Sequence, residues 1–136
     1  MSEPRGGLVV MGEAGTAAML SPDRRWELLD REDGLVCRLH GEITDSVDED
    51  FSVQVIDRIV SHPGRFFMLD FSGCQNLASI ALGTLMQFQC RATAVEKDVY
   101  WTGARGQVDN VIRVLGMHRI MRKVSPSSAL RRSLGS

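Results

Sequence analysis

The chain has 136 residues, of which 43% are hydrophobic and 24% charged, with four prolines. A chain of this length can bury roughly two-thirds of its unfolded surface in one domain, without metal or disulfide support. Sixteen bases against seventeen acids leave a net charge of −1, which excludes a general polyanion binder, while the hydrophobic content excludes a disordered chain.

Residues 1–22 read as an extension, punctuated by Gly6, Gly7, Gly12 and Gly15 and closed by the turn residues Ser21-Pro22-Asp23. Within it Leu8-Val9-Val10-Met11 is a candidate edge strand, with a disordered extension as the alternative. The domain proper is expected over residues 23–136. It opens with a hairpin of Trp26-Glu27-Leu28-Leu29 and Leu35-Val36-Cys37-Arg38-Leu39 around a polar turn, and Gly41 is expected to end the second strand. Ser46-Val47-Asp48-Glu49 has the spacing of a capping box. After it Val47, Phe51, Val55, Ile56, Ile59 and Val60 mark one face of a helix that His62-Pro63-Gly64 stops.

Arg65-Phe66-Phe67-Met68-Leu69-Asp70-Phe71 is nearly all apolar and reads as a central strand. A short polar connection, Ser72-Gly73-Cys74-Gln75-Asn76, leads into a second helix that runs to about Val95 with Leu82, Leu85, Met86 and Ala92 inward. Asp98-Val99-Tyr100-Trp101-Thr102 forms the next strand, and Gly103 to Gly106 turn the chain. Val108, Val111, Ile112 and Leu115 give a third helix ending at Gly116. A short strand over residues 120–124 and a small helix over 127–134 complete the order. Strands alternating with helices predict an α/β fold: a mixed, mostly parallel sheet of four to five strands with about four helices packed against it.

No apolar run approaches the ~20 residues of a membrane span. No sustained apolar run follows Met1-Ser2-Glu3-Pro4-Arg5, so no secretory signal is expected and a cytoplasmic location is. Cys37, Cys74 and Cys90 form an odd set without a CxxC, and Cys37 and Cys90 read as small buried hydrophobes. His40, His62 and His118 have no paired spacing with them, so neither a zinc site nor any other cofactor is expected.

Enzymatic chemistry finds no support. There is no Walker loop, no GxGxxG after a strand and no GxSxG elbow, and no nucleophile–base pair can be assembled. Five acids between Glu42 and Asp50 straddle a helix start, where carboxylates favour the positive end of the dipole, and their spacing is not that of a calcium loop. Ser79 has two readings. It can be the N-cap of the second helix, contributing about 1 kcal/mol. It can also accept a phosphate, which the N–H groups and dipole of a helix start accommodate while the surface charge changes.

Four stretches in chain order resemble the STAS domains of anti-sigma factor antagonists. They are Val36-Cys37-Arg38-Leu39-His40-Gly41-Glu42-Ile43, Phe67-Met68-Leu69-Asp70-Phe71-Ser72-Gly73, Leu77-Ala78-Ser79-Ile80-Ala81-Leu82-Gly83 and Val111-Ile112-Arg113-Val114-Leu115-Gly116-Met117-His118-Arg119-Ile120. The resemblance implies a partner switch. An anti-sigma factor that is also a GHKL-type serine kinase phosphorylates the serine at the Ser79 position, the phosphorylated form no longer binds it, and a serine phosphatase resets the cycle. Carried over by position, Ser79 is the phospho-acceptor, and Asn76, Leu77, Ala78 and Ile80 share the partner-binding loop. Ala78 stands where the family has an acid, Ile80 where it has a small polar residue, and Ala81 where it has a glycine. Those departures keep an alternative open: a non-switching STAS scaffold of a stress-signalling assembly, or an accessory subunit of a lipid-transport ABC system. Either way the partners are proteins, with no direct nucleic-acid binding and no membrane insertion. The net charge conceals a split, since residues 105–136 carry seven bases against Asp109 alone.

Overall fold

In a computed structural model, which describes residues 8–11, 17–119 and 122–123, seven strands form one sheet in the order of the chain. β1 (Leu8–Met11), β2 (Ala17–Leu20), β3 (Trp26–Arg31) and β4 (Gly34–Ile43) pair antiparallel. β5 (Phe66–Leu77), β6 (Asp98–Thr102) and β7 (Arg122–Lys123) then add in parallel to β4 and to one another. The parallel steps are made by α1 (Glu49–Ser61), α2 (Ser79–Ala94) and α3 (Gly106–Val114), with a 3-10 turn at Met117–Arg119. The expected fourth helix, over 127–134, lies outside the described residues.

Crossovers that all step in one direction with one hand place their helices on one face of the sheet. The main core shows this: Leu28, Cys37, Leu69 and Trp101 from alternate strand positions pack with Phe51, Val55, Ile59, Leu85, Phe88, Val108 and Ile112 from the helices. Phe88 is its aromatic centre, meeting Trp26 and Phe67 edge-on with ring centroids 6.3 Å apart in each case. A second, smaller cluster of Leu29, Val36, Phe66, Met68 and Tyr100 occupies the opposite face, and no described helix joins it.

Several local expectations are corrected. β4 does not stop at Gly41. It bulges there, with Gly41 at φ 69°, and continues to Ile43. The polar run expected as a connection is instead the second half of β5, because Gly73, Cys74, Asn76 and Leu77 pair with His40, Gly41, Glu42 and Ile43. Ser46 is no cap, since Glu49 is already the first helical residue. Asp48 takes that role, its carboxylate accepting from the Phe51 N–H at 3.0 Å. Val60, Met86, Leu115 and Cys90, all expected inside, are exposed.

Candidate functional site

Each parallel strand delivers its helix at the carboxyl end of the sheet, so the N-termini of α1, α2 and α3 share one edge. The β5–α2 junction there is short, because β5 runs to Leu77 and α2 begins at Ser79. Ala78 is the single residue between them, extended at φ −80° and ψ 149°, and it makes no side-chain cap bond. Ser79 is therefore the first helical residue and not the N-cap, which corrects the capping reading. An alanine at the cap leaves the first N–H groups of the helix without a side-chain acceptor, and no acid stands in the first turn.

The junction is held from two sides. The Ala78 N–H donates to the Ile43 carbonyl at 2.8 Å, fixing it to the end of β4. From α3, the Gln107 amide reads the Leu77 backbone twice. Its Oε1 accepts from the Leu77 N–H at 2.8 Å and its Nε2 donates to the Leu77 carbonyl at 3.0 Å. The side chain thus imitates a neighbouring strand for one residue. Asn76 donates through Nδ2 to Glu42 Oε1 at 3.1 Å, tying the strand end to β4 once more.

Of the five residues singled out in the sequence, Asn76, Ser79 and Ile80 are exposed, and Ile80 presents 58% of its surface to solvent. Ala78 is half-buried, and Leu77 is in the core, so it anchors the junction and offers a partner no side-chain surface. Gln107, Glu42 and Ile43 were not foreseen. Gln107 lies thirty residues from Leu77, in a stretch that reads only as a helix start, and no spacing rule links the two. Among the described residues no group of three His, Cys, Asp or Glu is placed to hold a metal ion. No described helix is long and apolar enough to cross a membrane.

A mixed sheet with three described helices on one face, and an exposed serine at the start of the second, defines an α/β domain. The family model described as "Mlab, STAS domain" matches residues 29–124, and the chain belongs to the STAS domain family. No curated protein matches it. Among solved structures, an anti-sigma factor antagonist from Mycobacterium paratuberculosis is similar at 21% identity and a TM-score of 0.63, covering 84% of this chain and 97% of that one. The Bacillus cell fate determinant SpoIIAA in its phosphorylated form gives 17% and 0.62, covering 79% and 97%. The anti-sigma factor antagonist SpoIIAA in its unphosphorylated form gives 16% and 0.62, covering 82% and 99%. At such identities the likeness establishes the fold.

Proposed function

We propose that this protein is a regulatory, protein-binding STAS domain, an anti-sigma factor antagonist whose docking to an anti-sigma factor of the GHKL serine-kinase type is switched by phosphorylation at Ser79. The observation that carries the reading is the exposed Ser79 hydroxyl on the first residue of a helix whose N-terminus has no side-chain cap and no acid. A phosphate there gains ≈ −1.5 to −2 charges beside open N–H groups, so the fold tolerates it. A partner seated over Asn76, Ala78 and Ile80 meets that charge as repulsion and as a desolvation cost. Leu77 contributes by anchoring the loop. A serine phosphatase reverses the modification. The protein itself performs no catalysis, works in the cytoplasm, and touches neither nucleic acid nor the bilayer. Residues 23–136 are its STAS domain, and residues 1–22 an extension that lengthens the sheet.

Titration calorimetry of the cognate kinase tests this with the unmodified protein, Ser79→Ala and Ser79→Asp. The alanine variant is expected to bind like the unmodified protein and the aspartate variant to bind weaker by about tenfold or more. Equal affinities overturn the switch.

One observation favours a second reading. With Ala78 before Ser79 and a largely exposed Ile80 after it, the junction offers an apolar docking point that needs no switch, as in a scaffold or a lipid-transport accessory subunit. Loss of partner binding on Ile80→Asp, with Ser79→Asp neutral, distinguishes it.

A further inference from the structure

A serine side chain is short, so the place of its hydroxyl follows the backbone on either side of it. At Ser79 that backbone has little of its own to fix it, since Ala78 is a one-residue turn without a side-chain cap bond. What holds it comes from elsewhere in the fold. β6 pairs with β5 only as far as Thr102 opposite Asp70, yet β5 runs on to Leu77. Over that last stretch no described strand lies on the β6 side, and Gln107 supplies both bonds to the final residue, at 2.8 Å to the Leu77 N–H and 3.0 Å to its carbonyl.

The turn before Gln107 is shaped for that contact. Gly103, at φ 77°, lies against Ser72 of β5, Arg105 is extended at φ −151°, and Gly106 opens α3 at φ 57°. Two glycines in the left-handed region thus bring the second residue of α3 onto the end of β5. Gln107 is itself exposed, and amide bonds that water can replace add little net stability. Their effect is placement, two residues before Ser79.

Resting on the reading of Ser79 as a phospho-acceptor, we propose that Gln107 is a positioning residue for that phosphorylation: by fixing Leu77 it sets the Ser79 hydroxyl in line with the ATP of the kinase. In the transfer Ser79 Oγ bonds to the γ-phosphorus as the bond to the departing ADP breaks, and the hydroxyl proton passes to a base of the kinase. An in-line displacement needs the attacking oxygen within about 3–3.5 Å, and a misplacement of about 1 Å can cost about 100-fold. The helix keeps its own place without Gln107, because Ala81 and Leu82 are buried in the core. Ile80 therefore stays where a partner meets it while the turn before it loosens, and the loss falls on the chemical step.

Steady-state phosphorylation by the cognate GHKL-type kinase, with the phosphate mapped by mass spectrometry, tests this. Gln107→Ala is expected to lower kcat about tenfold or more and to leave KM within about twofold. Gln107→Glu, which sets a carboxylate against the Leu77 carbonyl, is expected to do the same. Ile112→Val, buried on the same helix, loses comparable stability and is expected to keep the kcat of the unsubstituted protein. An unchanged or faster kcat in Gln107→Ala, or an equal loss in Ile112→Val, overturns the positioning role and leaves Ser79 as the acceptor. A change in KM alone also overturns it, by making Gln107 part of the docking surface. An unsubstituted protein that takes no phosphate at Ser79 overturns the phosphorylation reading and this inference with it.

Discussion

His62 closes α1 with its ring turned inward. Nδ1 accepts from the Gly64 N–H at 2.8 Å, so the neutral tautomer carries its proton on Nε2. Burial lowers its pKa below the usual 6.5, and the ammonium of Lys97 and the guanidinium of Arg58 lower it further, while the Arg31 carbonyl raises it in part. Asp30 stands 3.6 Å from Nε2 but is itself engaged by Arg58. Because the folded state holds this imidazole neutral, the unfolded chain binds more protons as the pH drops. The stabilisation is complete above pH 6.5, the unfolded value, and declines as the pH falls through the lowered folded one. A urea midpoint that drops on acidification is therefore expected, and His62→Asn should flatten that slope. The cysteines divide by the same physics. Burial raises the Cys37 thiol to about 12 and Cys74 to about 11, whereas Cys90 is exposed. Ellman's reagent should titrate one thiol in the native protein and all three after denaturation.

At the scale of elements, α2 is fixed at both ends of its buried face. Phe88 supplies the central ring of the aromatic cluster, and Phe88→Ala is expected to cost about 3–5 kcal/mol in denaturant unfolding. The start of the helix depends on α3 through Gln107, whose two bonds to Leu77 are lost in Gln107→Ala at a cost of about 1–2 kcal/mol. Gln107→Glu is sharper. It keeps an acceptor for the Leu77 N–H but sets a carboxylate oxygen against the Leu77 carbonyl. Hydrogen exchange at residues 77–79 should quicken in both variants. The three helices and the apolar halves of the strands were legible in the sequence, since spacing at 3.6 and unbroken hydrophobic runs follow from burial on one face or two. The second half of β5 was not. Ser72, Gly73, Gln75 and Asn76 are exposed, so their polarity reads as a loop although Gly73 and Asn76 pair with β4. The cap of α1 was misplaced for a related reason: Ser46 and Asp48 are equally good cap residues, and only the first helical turn decides between them. For α2 the place of Ser79 at the helix start was legible, but the cap falls one residue earlier than its serine suggests, because β5 runs so far that Ala78 takes the turn.

For the molecule as a whole, the amino-terminal strands are part of the same sheet and contribute to its core. Met19 of β2 is buried against the helix side, and the Trp26 N–H donates to Ser21 Oγ at 3.1 Å where the strand turns into β3. Removal of residues 1–20 is expected to lose about 1.5–3 kcal/mol from Met19 alone and to lower the melting temperature accordingly. The tight approach of the β6–α3 turn to β5 gives a second whole-molecule constraint. Gly103, at φ 77°, lies so close that an added Cβ would come within 2.6 Å of the Ser72 nitrogen. Gly103→Ala should therefore shift β6 against β5 or destabilise the chain outright.

The sheet order that repeats the chain order has a consequence for biosynthesis. Every described strand after β1 pairs with the one translated just before it, so an open edge waits only for the next strand to be made. The antiparallel half emerges first and offers β4 as a finished template. Each later strand then adds after one helical excursion, keeping its pairing contacts close along the sequence. A sheet that grows outward in the direction of translation limits how long any unpaired edge is exposed to other nascent chains.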